Sequence, residues 1–153
     1  MGFNVVKGWP LGEALEDSAI PFPGLTIEAG MALRKVAHPT LTGQFAVRPV
    51  SETDSTFVTA QVLFALDSSG AFDVIEANRL PFIINNAVVE TDRVSGTFTT
   101  IGEIVYADTT AGNNGSFTDT VADNPPCGRY DGATTLENIN GDQEDAIRII
   151  WKS

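Results

Sequence analysis

This chain of 153 residues contains one cysteine, Cys127, and one histidine, His38. A lone cysteine excludes an intrachain disulfide, and two such residues cannot make up a zinc cluster, which takes several Cys and His ligands. Packing and backbone hydrogen bonds must therefore hold the fold, which suits assembly in a reducing cytoplasm. Basic residues are scarce as well: 9 Lys and Arg stand against 20 Asp and Glu, for a formal net charge of -11. That balance argues against nucleic acid as a partner, because phosphate is neutralised by basic surfaces that this chain lacks. It argues equally against an anionic membrane surface. The opening Met-Gly-Phe-Asn-Val-Val-Lys has no apolar stretch of signal-peptide length, and no run elsewhere approaches a membrane span. The expectation is a soluble, unsecreted protein.

What is present is enough for a core. The hydrophobic fraction is 42%, and the length suits a single domain. Residues 1–23 read as an extended N-terminal arm: Trp9-Pro10 and Pro21-Phe22-Pro23 bracket a stretch in which Leu11 and Leu15 have helical spacing over barely two turns. The arm's Phe3, Val5, Val6, Trp9 and Leu11 are candidate contacts with a partner or a neighbouring subunit. Residues 24–153 read as a β domain. Short β-branched or alternating segments fall at 25–28, 31–36, 44–50, 56–66, 71–76, 80–84, 87–91, 102–107, 116–118, 128–130 and 146–151. Pro81 places its segment at an edge or a strand start. In the last segment Ile147, Ile149 and Trp151 share one face, and Arg148, Ile150 and Lys152 the other. Turn residues separate the segments and helical periodicity is nearly absent, so the expected fold class is an all-β sandwich or barrel.

Catalytic signatures are missing. His38 precedes Pro39 and reads as a solvated loop residue, and Cys127 as a small buried hydrophobe. Residues 138–145 pack oxygen ligands at short range, yet their spacing departs from a calcium loop and reads as a polar turn. Gly112-Asn113-Asn114-Gly115 lacks the lysine and helix of a phosphate loop and reads as a hairpin tip. No carboxylate pair stands out for glycoside hydrolysis. Neither catalytic residues nor a cofactor are assigned. Between Asp108 and Asp145 eight acidic residues accompany one basic residue, Arg129.

The order Ile101-Gly102-Glu103-Ile104-Val105-Tyr106-Ala107-Asp108, a Gly/Asn hairpin, Gly115-Ser116-Phe117-Thr118, Cys127-Gly128-Arg129-Tyr130 and a closing Ala146-Ile147-Arg148-Ile149-Ile150-Trp151 resembles the C-terminal half of tailed-bacteriophage head decoration (capsid cement) proteins. Residues 25–36 resemble their first hairpin. The resemblance implies a β-tulip-like barrel or sandwich with no catalytic residues. It also implies binding to the outer surface of an HK97-type shell through the major capsid protein, often as a homotrimer, with the arm as a strap. The chain would then sit on the virion exterior. A carbohydrate-binding β-sandwich and a phage tail or adaptor subunit are the alternatives.

Overall fold

The computed structural model describes residues 3–7, 14–56, 61–68, 79–137 and 140–152. Its strands, in chain order, are β1 Phe3–Lys7, β2 Leu15–Pro21, β3 Ala32–Ala37, β4 Phe45–Pro49, β5 Leu63–Ala65, β6 Leu80–Thr91, β7 Ile104–Ala107, β8 Phe117–Thr118, β9 Pro126–Glu137 and β10 Gln143–Lys152. A single 3-10 turn, Glu52–Asp54, is the only helical element among the described residues. The fold is all-β, as the segment pattern indicates.

Strand β6 organises the sheet. In its first half, Phe82 and Ile83 pair with β5 on one edge and with β2 on the other. β2 pairs with β4, β4 with β3, and β3 with β5, so five strands close into a barrel. In its second half, residues 87–91 pair with β10 on one edge and with β1 on the other. β10 then carries the sheet on to β9, β7 and β8. The changeover lies at residues 84–86, where the register slips against β2 between Ile83 and Asn85 and against β10 between Asn85 and Ala87. Asn86 has φ 58°, a left-handed conformation that Asn tolerates better than most residues. A bulge of this kind bends and twists the strand, which lets one strand serve both a closed barrel and an open sheet.

Period-2 alternation assigns side chains to two cores that share the barrel wall. Ala19, Leu33, Val47, Leu63, Ala65, Leu80 and Phe82 fill the barrel together with Ile27 and Met31. Their outward neighbours Ala32, Phe64 and Ile83 join Val89, Val105, Phe117, Ile149 and Trp151 in a second core beneath the open sheet. Trp151 is fully buried at the centre of that core. The Phe64 and Phe117 rings meet it edge-on at centroid distances of 5.4 and 5.7 Å, the arrangement favoured by aromatic quadrupoles. The Gly112–Gly115 turn joins β7 to β8, and its tip is pinned to the barrel: Gly115 N donates to the Val50 carbonyl and Ala32 N to the Gly115 carbonyl, both at 2.9 Å.

Several expectations need correcting. Residues 15–21 form β2, a barrel strand with Ala19 and Ile20 buried, rather than part of an arm with a helical turn. Sheet hydrogen bonds to β6 and β4 outweigh the weak Leu11/Leu15 helical spacing, and Pro21 falls at the strand's end, where it interrupts little. The segments at 80–84 and 87–91 are one strand, central rather than at an edge, with Pro81 at its start. Residues 25–28 are not a strand, although Ile27 is buried in the barrel. Only Leu63–Ala65 of the segment at 56–66 is assigned to a strand, residues 57–60 lying outside the described residues. The strand expected at 71–76 also lies outside them.

Candidate interaction surface

The residues with the greatest potential for chemistry are committed to structure. His38 is buried, not solvated. Its Nδ1 accepts hydrogen bonds from the backbone N–H groups of Thr40 (3.2 Å) and Leu41 (3.0 Å). The ring thereby organises the turn between β3 and β4, which His38 N closes by donating to the Gln44 carbonyl. Accepting at Nδ1 leaves the neutral ring's proton on Nε2. Cys127 is fully buried and its thiol points at the Val105 carbonyl, 3.3 Å away. Burial pushes that thiol well above its ordinary pKa, so it is a poor nucleophile.

Two carboxylates lie in hydrogen-bonded cages, each built partly from sequence neighbours and partly from residues distant in the chain. Asp54, with 1% side-chain exposure, is held between Arg34 and Arg48. The Arg48 guanidinium reaches both its oxygens at 2.7 and 2.8 Å, and Ser51 N donates to it at 2.9 Å. Burial alone would raise its pKa, but the bonds from Arg48, Arg34 and Ser51 prevail and hold it below the ordinary value. Asp108 accepts from Ser95 Oγ at 2.6 Å, Thr110 N at 2.8 Å and Asn113 Nδ2 at 3.0 Å. These bonds again outweigh burial and lower its pKa. Asp108 lines a polar cleft of about 470 Å³ with Glu52, Asp123 and Asn124. A general acid must hold a proton near neutral pH, and Asp108 is held in the opposite state. Among the described residues no group of three or more His, Cys, Asp or Glu side chains is placed to hold a metal.

Of the arm residues singled out in the sequence, Phe3, Val5 and Val6 lie in β1, paired with Thr91, Val89 and Val88 of the chain's own β6. Trp9 and Leu11 lie outside the described residues. The aromatic residues that a sugar platform would need are largely inside: Trp151 is fully buried, and Tyr130 is 7% exposed and stacked on Phe98 at 5.2 Å.

The most distinctive surface is one the sequence reading treated as a plain turn. β10 meets the end of β6 where Ile147 pairs with Thr91, yet its residues 143–146 run on beyond that point, paired with Thr134, Thr135, Leu136 and Glu137 of β9. At the base of this two-stranded ribbon the β9–β10 register shifts opposite residues 130–133, and Gly132 there has φ 114°. A glycine at a bulge permits a bend there, and beyond it Thr135, Glu137 and residues 143–145 are exposed. Because barrel contacts occupy the Leu80 end of β6 and the ribbon leaves at the Thr91 end, the two stand at opposite ends of the molecule. Residues 131–145 contain Asp131, Glu137, Asp142, Glu144 and Asp145 and no basic residue. The signals for this ribbon are Gly132, the β-branched Thr134-Thr135 before Leu136, and the absence of lysine. Comparison with protein-family models, with curated proteins and with solved structures yields no match to this chain.

Proposed function

We propose that this chain is a capsid decoration protein that binds the outside of an HK97-type phage shell and bridges major capsid subunits, acting as a homotrimer. The observation that carries the reading is the two-ended charge distribution. The described residues from 85 onward hold eleven acidic and four basic residues, whereas those up to 84 hold six and five. The acidic excess culminates in the projecting ribbon. On a particle displaying many copies, the acidic end would face solvent and keep particles apart, leaving the barrel end for the shell. At that end Leu25 and Phe45 are 46% and 57% exposed. A ligand that binds only the assembled shell stabilises it by linkage, and repetition over the lattice makes modest contacts collectively strong.

The test is co-sedimentation of the purified protein with expanded, DNA-free heads. Saturable pelleting with the heads is expected, and protein that stays in the supernatant at every concentration removes the reading.

A further inference from the structure

We infer that β1 is an exchangeable strand, built to pair with the β6 edge of a second copy of this chain. β10 and β1 pair with the same β6 residues, 87–91, and so occupy opposite edges; β10 and β2 both pair with Asn85 and are opposed in the same way. β1 and β2 therefore follow one another along a single edge of β6, with Lys7 beside Ala87 and Leu15 beside Asn85. Two residues along a strand span about 7 Å. The connection across that gap is the seven-residue stretch Gly-Trp-Pro-Leu-Gly-Glu-Ala, whose extended reach is about 25 Å. The chain thus spends about three times the length that pairing in place requires.

β1 also has only β6 as a partner among the described residues, so its entire sheet contact can be transferred. Exchange replaces the five register pairs with the identical five from a neighbour and costs no contact, which is the condition for strand swapping. The receiving edge exists in every copy, since without β1 the backbone groups of residues 87–91 on that side have no strand partner, a state that folded sheets avoid. Phe3–Lys7 carries one cation and no anion, so bringing it onto a second acidic chain adds no repulsion. The inference holds whether or not the protein binds a shell.

The experiment uses the full chain. Two versions with one added cysteine each, Val5→Cys and Val89→Cys, are co-expressed with tags of different size, oxidised and run on a non-reducing gel, while the Val5→Cys/Val89→Cys double variant reports the register itself. Val6→Cys with Val88→Cys serves as a second pair. Adjacent register pairs alternate between the two antiparallel classes, so at least one of the two has a spacing that a disulfide accepts. Cys127, fully buried, stays out of the oxidation. Exchange predicts a reducible species containing both tags. Closure only within single chains of the double variants, with no two-tag species, overturns the inference. Failure of both pairs to close in any setting removes the β1–β6 pairing and the inference with it.

Discussion

The indole Nε1 of Trp151 donates a 3.2 Å hydrogen bond to the carbonyl of Ile84, just before the bulge at which β6 passes from barrel to open sheet. The final strand is thereby tied to the point where the two halves of the fold meet. The bond satisfies a buried polar group while the ring fills the space between Phe64 and Phe117. Trp151→Ala should cost about 3–5 kcal/mol through the lost ring and the cavity it leaves. A urea titration checks this, and a loss under 1 kcal/mol would show that the two cores do not depend on each other through this ring.

Asp54 makes the acid side of the stability profile predictable. Its folded pKa is lowered, as is that of Asp108, so the contribution of each is fully present above the unfolded value, 3.8 for these carboxyls, and is lost as pH falls through the depressed folded values. The urea midpoint should be flat from neutral pH to about pH 5 and should drop steeply below about pH 4. Asp54→Asn should lower stability at pH 7 by about 2–4 kcal/mol. This is the lower part of the range for broken buried pairs, because Arg34 and Arg48 keep 20% and 14% exposure. The same change should flatten the acid slope.

Two glycines of β9 are needed for different reasons, and substitution separates them. A Cβ on Gly128 would lie 2.3 Å from the Ile150 carbonyl oxygen, which belongs to the neighbouring backbone and cannot simply move aside. Gly132 has open space around it but a φ of 114°. Gly128→Ala should cost about 2–3 kcal/mol through overpacking, and Gly132→Ala about 1–2 kcal/mol through backbone strain alone. Denaturant midpoints of the two variants give the comparison.

Cys127 offers a probe of opening. With the thiol fully buried and its pKa raised, a disulfide-exchange reagent should leave the folded protein untouched and react stoichiometrically in denaturant. Rapid labelling under native conditions would contradict the packing of β9 against β7.

The ribbon's charge should be separable from stability. Glu137→Gln, Asp142→Asn and Asp145→Asn together should change unfolding free energy by no more than about 0.5 kcal/mol for each exposed position, while static light scattering at low salt shows weaker repulsion between molecules.

How far the sequence led depends on where the physical signal was local. β10 was legible because Ile147, Ile149 and Trp151 alternate with Arg148, Ile150 and Lys152, and the first three are buried. β4 and β7 also fall inside the segments read from β-branched and alternating residues. β6 was read as two strands because Asn85-Asn86 has the composition of a break, whereas the fold uses Asn86 as a left-handed bulge inside a continuous strand. β2 was missed because its partners lie about 25 to 70 residues away in the chain and no local propensity points to them. The outer half of β9 was missed because a ribbon with both faces partly wet has no apolar alternation to read. The same holds for the candidate surfaces: the charge excess from Asp108 to Asp145 is plain in the sequence, while its projection beyond the end of β6 is a matter of register. The Asp54–Arg34–Arg48 cage joins residues up to 20 positions apart and leaves no motif.

The proposed orientation, with a barrel end that grips a shell and an acidic ribbon that faces solvent, is tested by hydrogen exchange measured on the free protein and on protein bound to expanded heads. Binding should bring new protection to the β3–β4 hairpin that carries Phe45, with exchange at residues 140–146 of the ribbon unchanged. Protection of the ribbon with the β3–β4 hairpin unaffected would reverse the orientation and contradict the claim.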